Sequence, residues 1–164
     1  MIRVPQALRI VSLVLVLAAP ALLAVAQTAG FPRAELVVET RTEELRLTVE
    51  VARTPAQRAQ GLMFRTRLDP QTGMLFLFGS EGEVGMWMKN TLISLDMLFI
   101  GGDERVKRIV RRTTPLSEKA IGSGGPAIAV LELAAGSAAR LGIRVGDRVR
   151  FRALAGVRKP PEAN

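Results

Sequence analysis

The chain of 164 residues contains no cysteine, no histidine and no tyrosine. Without cysteine it can form no disulfide bond and carry no lipid-modified cysteine, so burial of apolar surface must stabilise it. Without histidine it lacks the Ser-His-Asp arrangement, the commonest general acid–base group and the usual zinc ligand. The side chains left for chemistry are carboxylates, lysines, serine and threonine hydroxyls, and methionine thioethers. We therefore expect no cofactor.

The first 26 residues have the layout of a secretory signal peptide. Arg3 and Arg9 bring positive charge, residues 10–25 are almost wholly apolar, and Ala24-Val25-Ala26 is a small-x-small cleavage pattern. The apolar run is short for a membrane span, which takes about 20 apolar residues. Cleavage after Ala26 predicts an exported, periplasmic protein of the cell envelope. The alternative is an uncleaved N-terminal anchor in the inner membrane.

The rest of the chain is expected to form one domain. Residues 27–34 are predicted to be a linker, residues 35–154 a single β-rich domain, and residues 155–164 a polar, flexible tail. No internal repeat and no second domain boundary are visible.

Positive charge dominates, with a formal net charge of +8. Two predicted strands, Arg105–Arg112 and Arg148–Ala153, carry much of it. Such strands are either solvated faces or a patch that contacts an anionic membrane or polysaccharide surface, and no nucleic acid is expected for an exported protein. The predicted contact residues are Arg105, Lys107, Arg108, Arg148, Arg150 and Arg152.

Local patterns predict short strands joined by turns. Residues 35–40 and 46–52 read as a hairpin, because apolar residues alternate with polar ones in the second segment. Thr54, Pro55 and Gln57 predict a capping box at the start of a short helix. A second short helix is predicted at residues 136–141. The loop 113–126 is either a lip over a cleft or a plain surface loop.

The stretch Met86–Ile100 is expected to be the central strand pair, with strands at Val84–Asn90 and Ser94–Ile100. In the second strand Asp96 points away from the face that its immediate apolar neighbours share. A carboxylate in an apolar strand is costly unless it is paired, so we expect Lys89, Arg65 or backbone N–H groups as its partner. Asp96 is then either a structural brace or a site residue with a perturbed pKa. The lone Trp87 is either a core residue or part of a binding surface.

About eight strands and two short helices predict a mainly β fold, a compact antiparallel β-sandwich or partly closed barrel. The alternative is an α+β sheet with helices on one side.

Four sequence blocks carry a resemblance to a known family. These are T-P…G-L-M-x-R at 54–65, G-M-L-F at 73–76, W-M-K-N-T…L-D-M-L-F-I at 87–100, and V-L-E-L…G-D at 130–147. In this order they resemble the bacterial and archaeal family called domain of unknown function 192. The resemblance implies a jelly-roll-like single domain and no known activity. It also implies ligand-binding candidates at the matching motif positions, Arg65, Trp87, Lys89, Asn90, Thr91 and Asp96.

Three functions are compatible with these residues. A non-catalytic binding module would use Trp87 and the polar residues after it to hold a saccharide or another small polar or anionic ligand. A Cu(I) site would use the thioethers of Met86 and Met88. An enzyme would pair Lys89 with Asp96 as acid and base, or Asp96 with Glu132 as two carboxylates. The sequence favours the binding module over an enzyme, because it contains no nucleophile motif and no phosphate loop.

Overall fold

The computed structural model describes residues 30–151, so the predicted signal peptide, the predicted tail and Arg152 lie outside the described residues. Within this range no helix is long and apolar enough to cross a bilayer. The first strand begins at Arg33, inside the segment predicted to be a linker. The elements are β1 (Arg33–Glu39), β2 (Glu44–Ala52), α1 (Pro55–Gln60), β3 (Thr72–Met86), β4 (Leu95–Ile100), β5 (Val106–Val110), β6 (Ile121–Ala134), α2 (Ser137–Arg140) and β7 (Arg148–Arg150).

The strands form one curled sheet in the order β5-β4-β6-β3-β2-β1-β7. Its two ends approach each other, because the N–H of Val106 donates to the carbonyl of Asp147 (2.9 Å) and the N–H of Val149 donates to that of Glu104 (2.7 Å). The molecule is therefore mainly β and a partly closed barrel, which confirms the predicted fold class. One strand pair departs from the antiparallel prediction: β2 and β3 are parallel, joined by a crossover that contains α1.

Two apolar clusters lie on the two faces of this sheet. The inner cluster takes residues from all seven strands and fills the barrel, with Leu36, Leu75 and Leu131 among its members. The outer cluster covers β3, β4 and β6 with side chains from the connecting segments, such as Leu62 and Met88. Because β3, β4 and β6 are covered on both faces, their sequences read as nearly continuous apolar runs.

Several local predictions are confirmed, and two are wrong. The predicted loop 113–126 is shorter than expected, because β6 begins at Ile121. The hairpin β1–β2 forms, and α1 begins with the predicted capping box at Thr54. The strand predicted at Val84–Asn90 is not separate: β3 runs on to Met86 and the chain then leaves the sheet. Beyond that point the N–H of Met88 donates to the carbonyl of Ser117 (2.9 Å) instead of joining a strand. Residues 87–94 are therefore a loop.

Candidate functional site

A narrow cleft lies on the outer face of the sheet, between the end of α1 and the loop 87–94. Its volume is about 20 Å³, enough for one water-sized group. A ligand can therefore insert only a small group and must keep its body outside. The cleft is lined by Arg58, Ala59, Gln60, Gly61, Leu62, Met63, Phe76, Met86, Trp87, Lys89, Thr91 and Glu132.

One wall of the cleft is fixed by the end of α1. Gly61 follows the helix with a positive φ of 47°, and a Cβ there would come within 3.1 Å of the Phe76 ring. A glycine thus lets the chain turn directly against that ring. The guanidinium of Arg58 donates to the carbonyls of Arg53 and Leu77 (2.6 and 2.9 Å), which fixes it at the same wall.

The opposite wall is the loop 87–94, which backbone hydrogen bonds hold on two sides. The carbonyl of Asn90 accepts from the N–H of Phe64 (2.8 Å), and that of Thr91 accepts from the N–H of Leu116 (3.1 Å). Asn90 has a positive φ of 53° and Thr91 is buried. Of the predicted ligand residues, Asn90 and Thr91 thus shape the loop, and the Thr91 side chain also lines the cleft.

Trp87 stands at the rim of the cleft with 46% of its surface exposed, so it is not a core residue. The ammonium group of Lys89 lies 5.1 Å from the centre of its ring, a distance at which a cation is attracted to the aromatic face. Phe64, Leu92 and Leu116 are also exposed, on segments that are bonded to this loop or belong to it. Exposed apolar side chains therefore lie in the loop that forms this wall and in the segments bonded to it.

Glu132 lies at the floor of the cleft, on β6, between Met74 of β3 and Met97 of β4. Only 3% of the residue is exposed, and no buried side-chain nitrogen or oxygen among the described residues lacks a hydrogen-bond partner. Burial raises the pKa of Glu132 to about 8. At neutral pH the group is therefore mostly the neutral acid, which can both donate and accept a hydrogen bond.

Asp96 is separated from this cleft. It is fully buried, and its two oxygens accept from the backbone N–H groups of Arg112 and Ala138 (2.9 Å each). Ala138 lies in the first turn of α2, so Asp96 anchors that helix to β4. Its partners are thus backbone amides, and neither Lys89 nor Arg65 contacts it. The structure gives no support to an acid–base pair of Lys89 with Asp96.

Arg65 lies in a second cavity, away from the cleft. Its guanidinium bonds to the carboxylate of Glu50, and both groups line a hollow of about 250 Å³ that shares no residue with the cleft. The six predicted ligand residues therefore occupy three places. Trp87, Lys89 and Thr91 line the cleft with Asn90 behind them, Arg65 lines the second cavity, and Asp96 is a buried anchor.

The methionines of the predicted copper site have different environments. Met88 is fully buried in the outer cluster, whereas Met86 is partly buried and lines the cleft. Met63 lines it as well, and its sulfur accepts from the side-chain amide of Asn90 (3.8 Å). Packing in the core accounts for Met88 without a metal.

Acidic partners offset most of the charge on the predicted basic patch. Lys107 pairs with Asp103, Arg148 with Glu104, and Arg150 with Glu39 and Glu44. Arg105 donates to the carbonyl of Gly146 (2.8 Å), and Arg108 lines an open groove with Glu81. Contact of this face with an anionic surface stays a prediction.

Residues 36–151 match the family described as "Uncharacterized ACR", domain of unknown function 192. The chain belongs to this family, as the sequence blocks indicated. Among curated proteins none matches this chain.

The solved structures that are similar to the chain include the following two. A protein from Sinorhizobium meliloti 1021, provisionally described as a transcription regulator, shares 44% identity with a TM-score of 0.72, over 74% of this chain and 95% of that one. A protein of unknown function from Novosphingobium aromaticivorans DSM 12444 shares 41% identity with a TM-score of 0.73, over 78% of this chain and 91% of that one.

The sequence offers Glu132 only as a partner for Asp96, and its position in the same cleft as Trp87 emerges from the structure. A lone acid inside the apolar run A-I-A-V-L-E-L was the available signal. Burying a charged residue in a strand covered on both faces costs free energy. An acid at such a position therefore indicates either a neutral carboxyl or a functional role.

Proposed function

We propose that this protein is a non-catalytic binding module whose cleft accepts a hydroxyl-bearing ligand of the saccharide class. The observation that carries the proposal is the position of Glu132, a buried carboxyl at the floor of a cleft with a half-exposed tryptophan at its rim. Export to the envelope is part of the proposal and rests on the N-terminal sequence alone.

The chemistry of the floor fits a hydroxyl group. A neutral carboxylic acid offers one donor and acceptor positions, and a ligand hydroxyl offers the same pair of functions. Because the cleft holds only one small group, a hydroxyl or hydroxymethyl would enter it and form hydrogen bonds with the Glu132 carboxyl.

The rim fits the body of a sugar. Sugar rings carry apolar C–H faces, and Trp87 presents a flat apolar surface at the mouth of the cleft. The ammonium group of Lys89 lies over the Trp87 ring. It supplies hydrogen-bond donors for hydroxyl or acidic substituents of the ligand. The combination of one aromatic plane with a few polar groups is typical of small-ligand sites.

Trp87 is the only tryptophan in the chain, so its fluorescence reports on the rim directly. We expect a saturable change in emission when the full-length protein is titrated with members of a panel of glucose, N-acetylglucosamine, maltose and chitotriose. Calorimetry with the same sugars should give matching affinities. If no sugar in the panel gives a saturable signal by either method, the proposal is wrong.

Variants locate the binding. Glu132→Gln keeps a neutral donor and acceptor and should retain affinity within a few-fold, whereas Glu132→Leu should weaken it about tenfold or more. Trp87→Ala should abolish the calorimetric signal. Val145→Ala is the matched control, because Val145 is an exposed apolar residue that does not line the cleft. Equal losses in Trp87→Ala and Val145→Ala would show that the sugar binds elsewhere.

A further inference from the structure

A second cavity lies on the same face of the sheet, under the segment that connects α1 to β3. Its volume is about 250 Å³, large enough for a small metabolite or inorganic anion. It is lined in part by the first residues of the parallel pair of β2 and β3. It shares no lining residue with the cleft of Trp87, so the two sites can be tested separately.

Three arginines line this cavity, from two segments of the chain. Arg33 begins β1, whereas Arg65 and Arg67 lie on the connecting segment that forms the roof. The roof is held in place partly by the carbonyl of Asp69, which accepts from the N–H of Thr72 (3.0 Å). Guanidinium groups from separate segments thus converge on one hollow.

Few of the available donors in this hollow are used. Three guanidinium groups carry about fifteen N–H donors. Arg65 forms a hydrogen bond with Glu50, and Arg33 approaches the same carboxylate at 3.9 Å. Arg67 makes no ion pair or hydrogen bond with any residue between 30 and 151. The side chain of Arg33 is 76% exposed and Arg67 is exposed as well, so most of these donors face solvent and are open to a ligand.

The charge balance leaves room for an anion. The two carboxylates that line the cavity belong to Glu50 and Asp69, against three arginines. Glu50 is mostly buried and holds Arg65 in position, whereas Asp69 is exposed and its carboxylate accepts no hydrogen bond from a described residue. A bound oxyanion would accept from several guanidinium groups at once, the geometry in which arginine binds phosphate or carboxylate most strongly.

We infer that this cavity is a binding site for a small oxyanion, a phosphoryl or carboxylate group, held by Arg33, Arg65 and Arg67. Glu50 is a positioning residue that orients Arg65, and Asp69 lowers the affinity by adding negative charge. The site requires neither the proposed sugar cleft nor its ligand.

The test is calorimetric titration of the full-length protein with inorganic phosphate and with citrate, using sodium chloride at matched ionic strength as the reference. Chemical shifts of the arginine side chains by NMR should locate the bound ion. Saturation by phosphate alone assigns the site to phosphoryl groups, and saturation by citrate alone assigns it to carboxylates. Absence of saturable binding by either overturns the inference.

Three variants are expected to change the affinity for the oxyanion in three different ways. Arg67→Ala should weaken the oxyanion about tenfold, because it removes charge-assisted hydrogen bonds without breaking an ion pair among the described residues. Asp69→Asn should strengthen binding severalfold, because it removes the repelling carboxylate. Arg111→Ala is the matched control: it removes an exposed positive charge outside the cavity and should leave the affinity unchanged. If Arg67→Ala and Arg111→Ala weaken binding equally, the effect is general charge attraction and the inference is wrong.

Discussion

Asp96 and Glu132 lie on adjacent strands and point to opposite faces of the sheet. In the register of β4 and β6, Asp96 stands opposite Leu133 and Glu132 stands opposite Met97. Because neighbouring residues along a strand alternate faces, this offset of one position separates the two carboxyls completely. They cannot form the pair that glycoside hydrolysis requires. One anchors a helix, and the other forms the floor of a cleft.

Stability should depend on pH through Glu132. The folded state holds the proton up to about pH 8, whereas the unfolded chain releases it near pH 4.5. The stabilisation is therefore fully present below pH 4.5 and is lost as the pH rises through 8. The loss is roughly 3 kcal/mol between pH 4.5 and 7. Urea unfolding at a series of pH values would measure it.

Glu132→Gln should remove this dependence, since the amide does not ionise. Above pH 8 the variant should be more stable than the unchanged protein. Glu118→Gln is the control, because Glu118 is exposed and should leave the pH profile as it is. A profile for Glu132→Gln that parallels that of the unchanged protein would mean that Glu132 is ionised throughout.

Asp96→Asn should destabilise the fold by about 2 kcal/mol. Asparagine keeps the shape of the side chain but has one acceptor oxygen, so the N–H of Arg112 or of Ala138 loses its buried partner. Thermal or urea unfolding measures the effect, and the emission of Trp87 should stay the same in the folded variant. The control is Asp103→Asn, which removes an exposed pair with Lys107 and should cost less than about 1 kcal/mol. Equal effects of the two variants would contradict the anchoring role.

Thr54→Ala should cost about 1 kcal/mol of unfolding free energy. The hydroxyl of Thr54 accepts from the N–H of Gln57 (3.1 Å), and the Gln57 side chain accepts from the N–H of Thr54 in return (3.1 Å). Urea unfolding should show the loss, whereas Thr66→Ala in the exposed connecting loop should change little. If Thr54→Ala leaves the free energy of unfolding unchanged, packing alone holds α1 in place.

Gly73→Ala should destabilise the protein by about 1–3 kcal/mol through overpacking. A Cβ at this position would lie 2.6 Å from the carbonyl oxygen of Glu132 and 2.8 Å from the Leu133 side chain. The backbone of β3 or β6 must move to accommodate it. Gly85→Ala, also in β3, has nothing within 4 Å of the new Cβ and is the matched control. Similar midpoints for the two variants in urea unfolding would refute the clash.

The elements that sequence predicts best are those with local causes. The hairpin of β1 and β2 follows from alternation within the second strand, and α1 follows from the reciprocal bonds of Thr54 and Gln57. These signals need only neighbouring residues. The mainly β class follows from several such segments taken together.

The elements that sequence misses have distant causes. Residues 84–88 alternate like a strand, yet β3 stops at Met86 because the N–H of Met88 bonds to the distant Ser117. The exposure of Trp87 and its position beside Glu132 depend on this departure from the sheet. The register of β4 against β6 decides which carboxyl becomes the anchor and which forms the floor of the cleft. Hydrophobic periodicity does not report register.

The pairing of β1 with β7 joins the first described strand to the last. A ribosome must therefore release the chain to about residue 150 before the sheet can complete its edge. Until then β1 has β2 as a partner on one side and an exposed edge on the other, which is a recognised template for pairing with other chains. The sheet can thus complete this edge only after β7 has been synthesised, and until then the free edge of β1 stays open to other strands.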